Sequence, residues 1–164
     1  MDSTKNFRIS KMDVKQNLSS LFALDVKIAK AAPSLLPLET KEKFLDFLTK
    51  EHDSETWALE NQYGKVVGYI SLVDKPKEGA MEVLNIGVDP EFQGRGYGKE
   101  LMIFAEKQAI KKGRKKITLV TNKKNSLSIN FYKNIGYIII KEIKNYSGDG
   151  ETRYLFEKSV TLQI

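Results

Sequence analysis

The sequence predicts an α/β fold: a mixed, mostly antiparallel sheet of six to seven strands, flanked by helices on both faces. Three observations carry this reading. Seven stretches alternate apolar and polar residues or form short apolar blocks, four others repeat apolar residues at helical spacing, and glycine, proline or a capping side chain punctuates the joins. The resulting order is β-α-α-β-β-β-α-β-α-β-β, and helices interspersed with strands in this way cover both sides of a sheet.

Phe7 to Ser10 alternates as a short strand, and Asp13 is placed to cap a helix over Val14 to Lys30 with Leu18, Leu21, Phe22 and Val26 on one face. Pro33 and Pro37 stop it. Thr40 caps a second helix over Lys41 to Thr49, whose Phe44, Leu45 and Leu48 share a side. Strands over Thr56 to Asn61 and Lys65 to Val73 are joined tightly at Tyr63-Gly64, and Met81 to Val88 ends at Asp89-Pro90. A glycine-rich turn then opens a helix over Tyr97 to Lys112, where Leu101, Ala105 and Ala109 recur every fourth residue before Gly113 ends it. Lys116 to Thr121 is the next strand, Ser126 to Ile135 a shorter helix closed by Gly136, and Tyr137 to Lys144 with Thr152 to Lys158 a hairpin around Ser147-Gly148-Asp149-Gly150.

With 164 residues, 41% apolar and 29% charged, the chain is long enough for one core, so residues 1–164 are read as a single domain with 1–6 as a flexible N-terminus. The formal charge of +6 favours phosphate-bearing or anionic ligands. Having no cysteine and one histidine, His52, the chain offers no thiolate nucleophile, disulfide or His-Cys metal site. His52 lies in a polar link and is read as a surface residue. Neither a signal peptide nor a run of about 20 apolar residues is found, which places the chain in the cytoplasm, away from membranes. Lys111 to Lys116 reads as a solvated helix end, since no aromatic residues interleave with it as an RNA-binding surface requires. Asn145, Ser147, Asp149 and Gly150 imitate the start of a calcium loop, but its twelfth position is Phe156, so the segment is a hairpin turn and no metal is expected.

Gln93-Gly94-Arg95-Gly96-Tyr97-Gly98-Lys99 places three glycines in five residues between a strand and a helix N-terminus, where free N–H groups form an anion site. A Walker loop needs Ser or Thr after its lysine, whereas Lys99 precedes Glu100. A dinucleotide fingerprint needs an acid at the end of the next strand, where Thr121 and Asn122 stand. Downstream, Asn125, Ser128 and Tyr132 share one helix face, a polar stripe suited to a ligand, while Leu127, Phe131 and Ile135 share another that enters the core.

Gln93, Gly96 and Gly98, spaced Gln-x-x-Gly-x-Gly after a strand, resemble the acyl-CoA signature of the GNAT superfamily of N-acetyltransferases. The lead-in Asn85-Ile86-Gly87-Val88-Asp89-Pro90-Glu91 is similar to ribosomal-protein N-acetyltransferases of that superfamily. Asn125 through Phe131-Tyr132-Lys133-Asn134-Ile135-Gly136-Tyr137 resembles a second family segment, with Ser128 in place of Ala and Tyr137 in place of Phe. The likeness covers Lys65 to Lys158. It implies acetyl-CoA as co-substrate, its pyrophosphate on the N–H groups of Gly94 to Lys99 and its pantetheine paired like a strand with Ile86, Gly87 and Val88. By the same likeness the Val88 N–H polarises the thioester carbonyl, and Asn125, Ser128 and Tyr132 face the cofactor.

Tyr132 then has an O–H for the leaving thiolate, and Glu82 is the candidate base, near the glutamate of histone acetyltransferases. Ribosomal-protein enzymes carry their glutamate where this chain has Val120. The implied activity is transfer of an acetyl group to a primary amine of a protein N-terminus, a lysine or a small amine such as a polyamine. A non-catalytic acyl-CoA-binding or sensing domain is the alternative. An amine-bearing partner is expected and nucleic acid is not; a homodimer is compatible with the sequence. The acceptor walls are expected at Lys30 to Glu39 and Asn145 to Glu151.

Overall fold

The computed structural model describes residues 6–32 and 40–161. Pro33, Pro37, most of the first expected acceptor wall and residues 1–5 of the expected flexible terminus lie outside them. Seven strands form one sheet in the order β1-β2-β3-β4-β5-β7-β6. They are β1 (Phe7–Lys11), β2 (Glu55–Asn61), β3 (Val66–Lys75), β4 (Ala80–Val88), β5 (Lys116–Asn122), β6 (Ile138–Ile143) and β7 (Arg153–Ser159). Only β4 and β5 run parallel, so the sheet is mixed and mostly antiparallel, as expected. Among the described residues no helix is long and apolar enough to cross a membrane.

Four helices cover the two faces: α1 (Leu18–Ala31), α2 (Lys41–Asp46), α3 (Tyr97–Lys111) and α4 (Ser126–Asn134). β3 explains why both faces need cover, because its buried residues alternate between two cores. Ile70 and Leu72 join Leu101, Met102 and Ala105 of α3, whereas Tyr69 joins Leu21, Leu24 and Ile28 of α1 and Phe44 of α2. The buried hydroxyls of Thr56 and Ser71 satisfy each other across β2 and β3 at 2.8 Å.

Local chemistry sets the ends. Thr40 caps α2 by accepting the Lys43 N–H at 3.1 Å, after which Phe47–Glu51 widens into a π-helical turn. At the β2–β3 hairpin, Asn61 Oδ1 accepts the N–H groups of Tyr63 and Lys65, and Gly64 takes a φ of 76°. Asp13 does not cap α1. Its carboxylate accepts the Gln16 N–H at 3.1 Å within a separate turn, and α1 starts at Leu18, with Leu21, Leu24, Ile28 and Ala29 as its buried face.

Two further expectations are corrected. His52 is half-buried rather than a surface residue, its ring edge-on to Phe47 at 4.7 Å. The basic end of α3 is only partly a solvated face, because Arg114 grips Asp74 through two bonds of 2.6 and 3.1 Å and Lys112 reaches Glu55 at 3.5 Å. The β6–β7 connection is a hairpin turn. There Asn145 Oδ1 accepts the Gly150 N–H and Asp149 binds both the Glu151 N–H and Arg153.

Candidate active site

The site begins with an interruption in the sheet. β4 pairs with β5 only from Ala80 to Val83, opposite Lys116 to Leu119, although β4 runs to Val88 and β5 to Asn122. A bulge at Leu84, where the register against β3 slips between Ser71 and Leu72, redirects β4 as the two strands part. Beyond it the β3 register is regular and the Asp89 N–H bonds Val67 O at 2.8 Å. Antiparallel partners alternate between bonded and non-bonded pairs, so Gly87 and Asn85 face β3 with their backbone groups. Ile86 and Val88 therefore turn theirs into the fork. Two contacts agree: the Ile86 N–H donates to Asn85 Oδ1 at 3.1 Å, and Val88 O accepts from Gln93 Nε2 at 3.1 Å. The Val88 N–H is left facing the opening.

Two cavities meet at this fork. One, of about 500 Å³, lies between β4, the glycine turn and α4, and every expected cofactor residue except Arg95 lines it. Arg95 instead lies over the Phe92 ring, 5.1 Å from its centroid. Gly94 and Gly96 take φ of 78° and 83°, backbone that side-chain-bearing residues rarely adopt, which turns the loop into the N-terminus of α3. Gly98 differs: its φ is ordinary, and an added Cβ would sit 3.4 Å from Phe131.

The other cavity, of about 530 Å³, lies between the splayed ends of β4 and β5 and the β6–β7 turn. Ile86, Asn125, Ser128 and Tyr132 line both. Asn125 also caps α4, its Oδ1 accepting the Ser128 N–H at 3.2 Å. Tyr132 is 6% exposed and packs against Phe131, Tyr137 and Phe156. No fully buried side-chain polar atom lacks a partner among the described residues, so the Tyr132 hydroxyl, which bonds to none of them, reaches the cavity. Burial pushes its phenol up, keeping the O–H protonated at neutral pH.

Glu82 is not brought to this junction. It is upstream of the bulge, its carboxylate 4.0 Å from Lys75 Nζ, and it lines neither cavity. Leu127 departs from the helical-face expectation: it is 83% exposed at the rim of the first cavity, while Phe131 and Ile135 are half-buried. Sequence reasoning also missed Ile28 and Phe92 in the first cavity and Lys124, Asp149, Glu151 and Arg153 in the second. Only the expectation of an acceptor wall at Asn145 to Glu151 pointed toward the latter.

Comparison with known proteins fits this geometry. Residues 23–137 match the model of the Acetyltransferase (GNAT) family. An uncharacterized N-acetyltransferase of Methanocaldococcus jannaschii is 35% identical over 79 residues, which are 45% of this chain and 35% of that protein; the match thus spans about a third of the relative's length. In fold, the chain is similar to the ribosomal-protein-S18-alanine N-acetyltransferase of Escherichia coli, with a TM-score of 0.76 at 17% identity over 96% of both chains. It is also similar to the PaiA N-acetyltransferase of Thermoplasma acidophilum in complex with coenzyme A, with a TM-score of 0.74 at 21% identity, covering 94% of this chain and 99% of that one.

Proposed function

Because the chain belongs to the acetyltransferase (GNAT) family, we propose that it transfers the acetyl group of acetyl-CoA directly to a primary amine, that of a protein N-terminus, a lysine or a small amine such as a polyamine. The observation that carries this reading is the fork, where the Val88 N–H, the glycine turn and the Tyr132 hydroxyl converge on two joined cavities. Acetyl-CoA, when bound, supplies an activated thioester. The residues present fit it: the N–H groups of Gly94 to Lys99 take pyrophosphate at the positive end of a 15-residue helix, and Ile86 O and the Val88 N–H, which no strand pairs, are offered to the pantetheine amides.

In this reading the Val88 N–H donates to the carbonyl oxygen and stabilises the negative charge that develops there. The amine enters from the second cavity, and its nitrogen forms the new C–N bond as the C–S bond breaks. Tyr132 donates a hydrogen bond to the departing sulfur. A thiol titrates near about 8.5 and the buried phenol above its usual value of about 10, so the phenol stabilises the thiolate by hydrogen bonding while the net proton comes from the amine. Glu82 reaches that amine only through water, and this relay is its proposed role as base.

Thiol release from acetyl-CoA, followed across a panel of peptides, lysine analogues and polyamines, tests the proposal. Turnover with one class supports it, whereas tight acetyl-CoA binding without turnover on any amine would replace it with a sensing domain.

A further inference from the structure

Helix α1 meets the end of β4 at two points, and they bracket Val88. Ile28 fills the space that a Cβ on Gly87 would need. The residue before it, Lys27, reaches Asp89, its Nζ lying 2.9 and 3.0 Å from the two carboxylate oxygens and 2.6 Å from Glu91 Oε2. Gly87 and Asp89 are the two neighbours of Val88 in the chain. Adjacent residues of one helix therefore hold both flanks of the residue whose N–H faces the fork. The same end of α1 lines the first cavity through Ile28, Ala31 and Ala32, so this grip lies beside the space assigned to acetyl-CoA.

A backbone N–H has no rotor of its own. Because the peptide is planar, the Val88 N–H points opposite to the Gly87 carbonyl, and the dihedrals of its neighbours set its direction. On the fork side β5 has already parted from β4, whose pairing with it ends at Val83. What fixes that direction comes from β3 and α1. Gly87 stands opposite Tyr69 of β3 and under Ile28, while Asp89 donates its N–H to Val67 O at 2.8 Å and is gripped by Lys27. The Asp89 side chain is only 5% exposed, and its Oδ1 also accepts the Glu91 N–H at 3.0 Å, starting the Pro90–Phe92 turn that leads to the glycines.

We propose that Lys27 is a positioning residue for acetyl transfer: by holding Asp89 in place it aims the Val88 N–H at the thioester carbonyl. This rests on the reading of Val88 as the donor to that carbonyl. A buried carboxylate that loses its cation keeps the cost of its burial and relaxes toward water. Asp89 moving outward would turn the peptide beside it. An oxyanion donor works only where it already points at the oxygen that gains charge, so a small rotation there is read in the rate.

Difference infrared spectroscopy of bound acetyl-CoA, with and without ¹³C in its acetyl carbonyl, reads the donor directly, since a hydrogen bond to the oxygen lowers the stretching frequency. The band on the wild-type protein should lie below that of free acetyl-CoA. In Lys27→Met it should move back toward the free value, and turnover should fall roughly tenfold, less than the roughly 10²- to 10³-fold cost of deleting such a donor. Lys27→Arg keeps a cation within reach of both carboxylates and should return the band to near its wild-type position. All are measured at saturating acetyl-CoA, which keeps the changed charge beside the phosphate site out of the comparison. A wild-type band in Lys27→Met, or an equal displacement in Lys27→Arg, overturns the assignment. Asp89→Asn serves if Lys27→Met does not fold: it keeps the oxygen that accepts the Glu91 N–H but loses the charge that Lys27 grips, so the band must move the same way, and an unmoved band overturns the assignment equally. A wild-type band no lower than that of free acetyl-CoA rejects the Val88 donor and the clamp together, whereas a lowered band that Lys27→Met leaves in place rejects the clamp alone.

Discussion

Ile28 Cδ1 stands where the side chain of Gly87 would begin: a Cβ built on Gly87 would lie 2.5 Å from it. Helix α1 therefore touches the backbone of β4 at the residue between Ile86 and Val88, the two that open into the fork. Gly87→Ala should destabilise the fold by about 1–3 kcal/mol, as overpacking does, and Ile28→Val in the same chain should recover part of the loss. Denaturant unfolding of the single and double variants measures both.

Gly96 is needed for its backbone rather than for space. No atom lies within 4 Å of an added Cβ, yet its φ of 83° is disfavoured for any branched side chain. Gly96→Val should weaken acetyl-CoA binding by roughly tenfold or more, about 1.4 kcal/mol, by displacing the N–H groups of the turn. Gly98→Val, at ordinary φ and with Phe131 at its edge, should cost less. Calorimetry on the folded variants ranks the two.

Tyr132→Phe removes one hydroxyl from the junction and leaves the ring packing with Tyr137 and Phe156 in place. Acetyl-CoA affinity should hold while turnover falls roughly 10²- to 10⁴-fold. Near wild-type turnover would reduce this residue to a packing role.

Glu82→Gln should bind acetyl-CoA normally and lose turnover at neutral pH, with the rate returning as the pH rises and more amine arrives deprotonated. The decisive measurement is the pH–rate profile. A profile superimposable on that of the wild type removes Glu82 from proton transfer.

Away from the fork, the Arg114 guanidinium holds the Asp74 carboxyl below its ordinary value. A depressed folded-state pKa contributes stability that is present above the unfolded value of about 3.9 and is lost as the pH falls through the lower folded one. Asp74→Asn should therefore lower Tm at pH 7, and the difference from wild type should be smaller at pH 2. Thermal unfolding at the two pH values checks the sign.

The order of helices and strands along the chain, the glycine turn and the capped start of α4 were legible because each is dictated within a few residues. Gly94 and Gly96 announce backbone that other residues resist, and Asn125 caps whatever helix follows it. The bulge at Leu84 was not, since it depends on how β3 and β4 align across the sheet. Leu127 misled for a related reason: an apolar residue at helical spacing marks a face, and whether that face meets the core or a cavity rim is decided by what lies opposite. Asp25 reads in sequence as one acid within an amphipathic helix. Its partners Tyr69 and Asn85 lie 44 and 60 positions away, and only the folded chain brings them to it.

The four-residue pairing of β4 with β5 makes the sheet two leaves, β1 to β4 and β5 to β7, sewn along a short seam. Above that seam no backbone ladder joins them. A strand-like occupant bonding to Ile86 and Val88 would act as a stitch, and the amides that gain most from it are those at the inner margins of the leaves, far from the outer strands β1 and β6. Slowed hydrogen exchange at Val88 and Val120, with little change in those outer strands, would be the mechanical signature of a sheet whose middle is completed by what it binds.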